Sequence, residues 1–70
     1  MWIRSQDRER LVRVEGVYLF TPLCDSLIQI RDNMGKSLGT YSTKEKALKV
    51  LDEITKHINL GYEDIVFQMP

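Results

Sequence analysis

Apolar residues recur at spacings of three and four through residues 41–61, YSTKEKALKVLDEITKHINLG. Ala47, Val50, Leu51, Ile54 and Ile58 fall on one stripe of an α-helix, with Leu48 and His57 at its borders. Lys46, Lys49, Asp52, Glu53 and Lys56 take the far side, so the pattern predicts an amphipathic helix over about residues 43–60. Ser42 and Glu45 have the S-x-x-E spacing in which each side chain satisfies the other's exposed backbone donor. Gly61 can take the left-handed backbone that closes a helix.

Elsewhere the period shortens towards two. Residues 2–5 (WIRS) and 11–14 (LVRV) read as paired strands joined by a polar hairpin connection, QDRER. The run VYLF continues extended beyond Gly16, so either Glu15 and Gly16 make a tight turn or Gly16 is a bulge in one long strand. Pro22 marks residues 21–25 as a loop, residues 27–31 alternate as a strand, DNMG at residues 32–35 is a turn, and residues 37–41 form a strand running into the helix cap. After the polar link Tyr62, Glu63 and Asp64, the alternation of IVFQMP predicts a closing strand that Pro70 ends.

A single helix stripe cannot close a core against itself, so the remaining apolar residues must supply a sheet for it. The expected fold is α+β: one domain, residues 1–70, with an antiparallel sheet of four to five strands on one helix and a closing C-terminal strand. If the helix covers one face of that sheet, each strand divides its side chains between a dry and a wet side. Val12 and Val14, Ile28 and Ile30, and Ile65 and Phe67 are the inward sets. Leu11, Arg13, Leu27, Gln29, Arg31 and Gln68 fall opposite. In the first strand Trp2 and Arg4 share a face and are placed outward, Ile3 being the alternative inward residue.

Seventy residues permit a single core that buries only about 60% of the surface the unfolded chain exposes. Ten basic and ten acidic side chains cancel, which removes the broad attraction to nucleic acid or anionic lipid of a strongly basic domain. The single cysteine, Cys24, has no intramolecular disulfide partner, and the N-terminus lacks a secretory signal, so the cytoplasm is the expected location. No apolar run approaches the ~20 residues that span a bilayer, and no membrane role is expected.

Candidate chemistry is sparse. Gly35, Lys36 and Ser37 match the end of a phosphate-binding loop, but Ile30 stands where the first glycine belongs and a strand follows, so a hairpin turn explains them better. Cys24 and His57 are too few for a zinc site, and no base is placed beside Cys24 to activate it. Asp52 and Glu53, adjacent on the helix, diverge rather than pair. Ser5, Gln6 and Asp7 are short polar residues suited to bonding the backbone of a turn. The expectation is a non-enzyme without catalytic residues, cofactor or metal.

Arginines carry the remaining signal. Residues 1–14 hold four, Arg4, Arg8, Arg10 and Arg13, against Asp7 and Glu9. Together with Trp2 they could hold phosphates and stack a base. Trp and Arg are equally the anchors of protein interfaces, and zero net charge favours that reading, because phosphate binding rides on a positive field. Trp2, Arg4, Leu11, Arg13, Gln29 and Arg31 are therefore the candidate face for a protein partner or a second copy, with nucleic acid as the alternative.

The segments MWIRSQD, LVRV, LGTYSTKEKALKVLDEI and VFQMP resemble short uncharacterised proteins of Gram-positive bacteria and their phages. That resemblance implies a cytoplasmic protein of mobile-element origin and carries no site residue with it. More locally, residues 38–47, LGTYSTKEKA, are similar to the strand-to-helix junction of Apetala-type DNA-binding domains, which pack a three-stranded sheet on a helix to read DNA.

Overall fold

The helical stripe becomes α1, Lys44–Asn59, in a computed structural model that describes residues 1–22, 27–62 and 64–70. Ala47, Val50 and Ile54 are buried, Leu51 is half-buried, and Ile58 leaves the core at the helix end with 44% of its surface exposed. The cap differs from the expected box. Thr43, not Ser42, holds the extended N-cap conformation, and its hydroxyl accepts the Lys46 amide at 3.2 Å. The helix starts one residue later than the S-x-x-E spacing requires, and Ser42 instead accepts a bond from the Lys46 ammonium. At the other end Gly61, with φ 76°, and Tyr62 donate back to Ile58 and His57, which closes the helix as its glycine implied.

Among the described residues six strands accompany the helix: β1 Trp2–Arg4, β2 Leu11–Arg13, β3 Val17–Phe20, β4 Ile28–Asp32, β5 Ser37–Tyr41 and β6 Phe67–Gln68. They form two three-stranded sheets, ordered β2-β1-β6 and β3-β4-β5, instead of the single sheet of four to five strands. The division falls at the Glu15–Gly16 corner, which is neither a tight turn nor a bulge. Val14 still extends the first ladder by donating to Met1 O at 2.9 Å, whereas the Glu15 amide donates to Asn33 Oδ1, in the β4–β5 turn, at 3.1 Å. The chain is thus handed from one sheet to the far end of the other before β2 and β3 can pair.

The C-terminal strand also departs from an antiparallel layout. β6 lies parallel to β1, with Ile3 opposite Phe67 and Arg4 opposite Gln68. Its inward set shifts with it. Ile65 sits in a turn before the strand and is 56% exposed, while Met69, two positions beyond Phe67, is 2% exposed. In the second sheet β5 carries an irregularity: Ile30 faces Gly39 and Arg31 faces Ser37, which leaves Leu38 without a partner on β4 and turns it into the core at 1% exposure.

A single core joins both sheets to the helix. Ile3 and Met69 come from the first sheet, Ile28, Ile30 and Leu38 from the second, and Ala47, Val50 and Ile54 from α1, with Val14 at the corner. Ile3 is inward, which fixes Trp2 and Arg4 on the outer side of β1. Cys24 and most of the loop expected at residues 21–25 lie outside the described residues.

Candidate functional site

Gln6 locks the two sheets together. Its backbone amide donates to Leu38 O at 2.8 Å, its side-chain oxygen accepts the Thr40 amide at 2.9 Å, and its Nε2 donates to Thr40 O at 3.2 Å and Pro70 O at 3.0 Å. One side chain thereby serves both backbone groups of Thr40 and covers the outer edge of β5 as a strand would. Arg10 reaches the same edge, donating to Ser37 O. Around the β1–β2 hairpin, the buried Ser5 hydroxyl donates to Asp7 Oδ1 at 2.5 Å and accepts the Arg10 amide at 3.1 Å. That hydroxyl, and then the Glu9 amide, hold the Asp7 carboxyl below its ordinary value of 3.8. Ser5 and Asp7 bond within the hairpin, as short polar turn residues should, whereas the Gln6 side chain leaves the turn for Thr40 and Pro70.

Four of the six candidate residues come together on the outer face of the first sheet. Trp2 stands opposite Arg13 and Arg4 opposite Leu11, all four exposed. Residues directly opposite across an antiparallel pair carry their Cβ atoms about 4.5–5.5 Å apart, so indole, guanidinium and isobutyl groups form one compact patch. Val66, 45% exposed and outside the expected face, extends that patch at the start of β6. The signal for it existed: a residue between the inward Phe67 and the expected inward Ile65 must face the other way. A groove of about 370 Å³ runs from here to the hairpin tip, lined by Arg4, Arg8, Glu9, Arg10, Leu11 and Val66. At that tip Arg8 holds φ 66°, a left-handed conformation, and its carbonyl accepts Arg4 Nε at 3.1 Å.

Gln29 and Arg31 belong elsewhere. They lie on β4 in the second sheet, where Arg31 Nε donates to Gln29 Oε1 at 2.8 Å and its guanidinium sits 3.6 Å over the Phe20 ring. Both are half-buried and engaged with each other, so the six-residue face divides between two sheets.

The remaining candidates have structural employment. Gly35, with φ 80°, and Lys36 sit in the β4–β5 turn, where Asp32 Oδ1 accepts the Met34 and Lys36 amides at 2.9 and 3.0 Å. His57 Nε2 bonds Ile65 O at 2.7 Å, and the ring meets Tyr62 and Phe67 edge-on with centroids 5.6 and 5.4 Å away, pinning the C-terminal segment to α1. Among the described residues no group of three or more His, Cys, Asp or Glu side chains could hold a metal ion, and no helix is long and apolar enough to cross a membrane.

Comparison with known protein families, curated proteins and solved structures finds no match.

Proposed function

We propose that this protein is a small non-catalytic interaction module, and that it binds protein, either a second copy or another chain, through the outer face of the β2-β1-β6 sheet. The observation that carries this reading is the patch of Trp2, Leu11 and Val66, at 43, 55 and 45% exposure, interleaved with Arg4 and Arg13. Trp and Arg are the side chains enriched among interface anchors, and Leu11 and Val66 add apolar area around them. The cytoplasm is the compartment this reading assigns, and a phage or mobile-element origin is its genetic setting.

The arginine-lined groove supports a second reading, in which Arg4, Arg8, Arg10 and Arg13 hold a nucleic-acid backbone beside Trp2. Zero net charge and the engagement of Arg10 with Ser37 O count against it. Two titrations decide. Sedimentation over a concentration series should show self-association that Trp2→Ala abolishes, if the partner is a second copy. Mixed DNA and RNA at low salt should not bind; tight, salt-sensitive binding lost in Arg13→Glu would transfer the face to nucleic acid.

A further inference from the structure

The four sheet edges are not equally covered. β5 is capped by Gln6 and Arg10, and β6 ends in Gln68, whose amide bonds Ser5 O, and in Pro70. The outer edge of β2 is three residues long and ends in Arg13, a charge that discourages strand addition. β3, Val-Tyr-Leu-Phe, is uncharged, and among the described residues its backbone bonds only to β4. The direction of its free groups follows from the hairpin. Asp32 donates its amide to Lys36 O, away from β3, so in the alternating antiparallel ladder Tyr18 and Phe20 turn their backbone to β4 while Val17 and Leu19 turn theirs outward.

Beside the start of this strand lies a groove of about 460 Å³. Its walls include Met1, Val14, Val17, Leu51 and Ile58, with Glu15 its one charged side chain, and nothing from β4 or β5 contributes. It meets β3 at Val17, at the N-terminal end of the strand, between the Val14–Gly16 corner and α1.

We infer that β3 and this groove accept an extended peptide segment of another protein, added antiparallel as a fourth strand, with apolar residues opposite Val17 and Leu19 and a basic residue opposite Glu15. Residues facing each other across a ladder share a sheet face, so the apolar side chain opposite Val17 enters the groove, the one opposite Leu19 lies on the same face, and main-chain bonds supply affinity. A second copy is the poorer occupant. The inward side chains of its own β3, Val17 and Leu19, are already packed against its own core and cannot fill a neighbour's groove. The site is separate from the Trp2–Arg13 face, so either can stand without the other.

The test is an NMR amide titration of the full chain with acetyl-Thr-Val-Thr-Val-Thr-Lys-amide, whose two valines and lysine fall opposite Leu19, Val17 and Glu15 in turn. Saturable shifts centred on the Val17 and Leu19 amides are expected, with slowed exchange of both. Val17→Pro removes an outward donor at the first position of an edge strand, where proline is tolerated, and should weaken binding about tenfold or more. A peptide N-methylated at the amides facing Val17 and Leu19 should fail in the same way with the protein unaltered, which keeps the test sound if that variant unfolds. Glu15→Lys should reverse the preference from a lysine-ended to a glutamate-ended peptide. Shifts confined to the Trp2–Arg13 face, equal binding of the N-methylated peptide, or the same shifts produced by protein concentration alone would each overturn the inference.

Discussion

At the scale of the residue, two glycines show how differently the same side chain can be required. A Cβ on Gly39 would lie 3.0 Å from the Tyr41 hydroxyl and 3.2 Å from Gln6 Cβ and Oε1. Gly39→Ala therefore displaces the clamp that joins the sheets, and equilibrium unfolding in urea should show a loss of about 1–3 kcal/mol, the usual cost of overpacking. Nothing lies within 4 Å of a Cβ on Gly16, and its φ is not positive, so Gly16→Ala should be neutral or gain about 0.4–1 kcal/mol through the unfolded chain. Asp7 makes a pH prediction. Its carboxyl is held low in the folded state, so the unfolded chain binds the proton more readily and stability falls as pH drops below the ordinary value of 3.8. Thermal midpoints of Asp7→Asn should lack that portion of the acid limb. Tyr41 works in the other direction. Burial, and then Glu53, raise its phenol above 10.0, so its contribution is complete at lower pH and is lost as pH rises through the folded value. Tyr41→Phe should flatten the alkaline limb and also lose the bond to Pro70 O.

At the scale of the element, the helix was legible because its period and its stop agreed. Ile54→Ala should cost ~2–5 kcal/mol in urea unfolding, whereas Ile58→Ala, at a position that leaves the core, should cost no more than about 1 kcal/mol. Equal losses at the two sites would mean that the whole stripe is core, contrary to the observed burial. The first five strands were legible too, within a residue, since alternation marks each of them locally, whereas the closing strand shrinks from the expected IVFQMP to Phe67–Gln68. Their partition into two sheets was not. It depends on bonds between residues far apart in sequence, Glu15 with Asn33 and Gln6 with Thr40, and no local pattern encodes such a pairing. The N-cap was misplaced for a related reason: Ser42 and Thr43 are both good caps, and the path of β5 chooses between them. The C-terminal segment packed against α1 also decides the role of His57, which reads as a border residue until Ile65 O and the two aromatic rings are placed beside it.

At the scale of the whole molecule, the helix is a scaffold and the candidate surfaces lie on the sheets. Sequence parity found Trp2, Arg4, Leu11 and Arg13 because they share a two-stranded hairpin, the shortest-range pairing in the fold. It wrongly joined Gln29 and Arg31 to them, since one sheet was assumed where two exist, and it passed over Val66. The account rests on that hairpin face touching protein. The most direct measurement is site-specific photo-crosslinking in cells of the native host, with the reactive side chain at Leu11 and, as control, at the exposed Glu53 on α1. The Leu11 probe should yield a discrete protein adduct, a dimer or a single second chain, that survives nuclease and disappears when Arg13→Glu is added. No adduct above the Glu53 control, or one that nuclease removes, would contradict it.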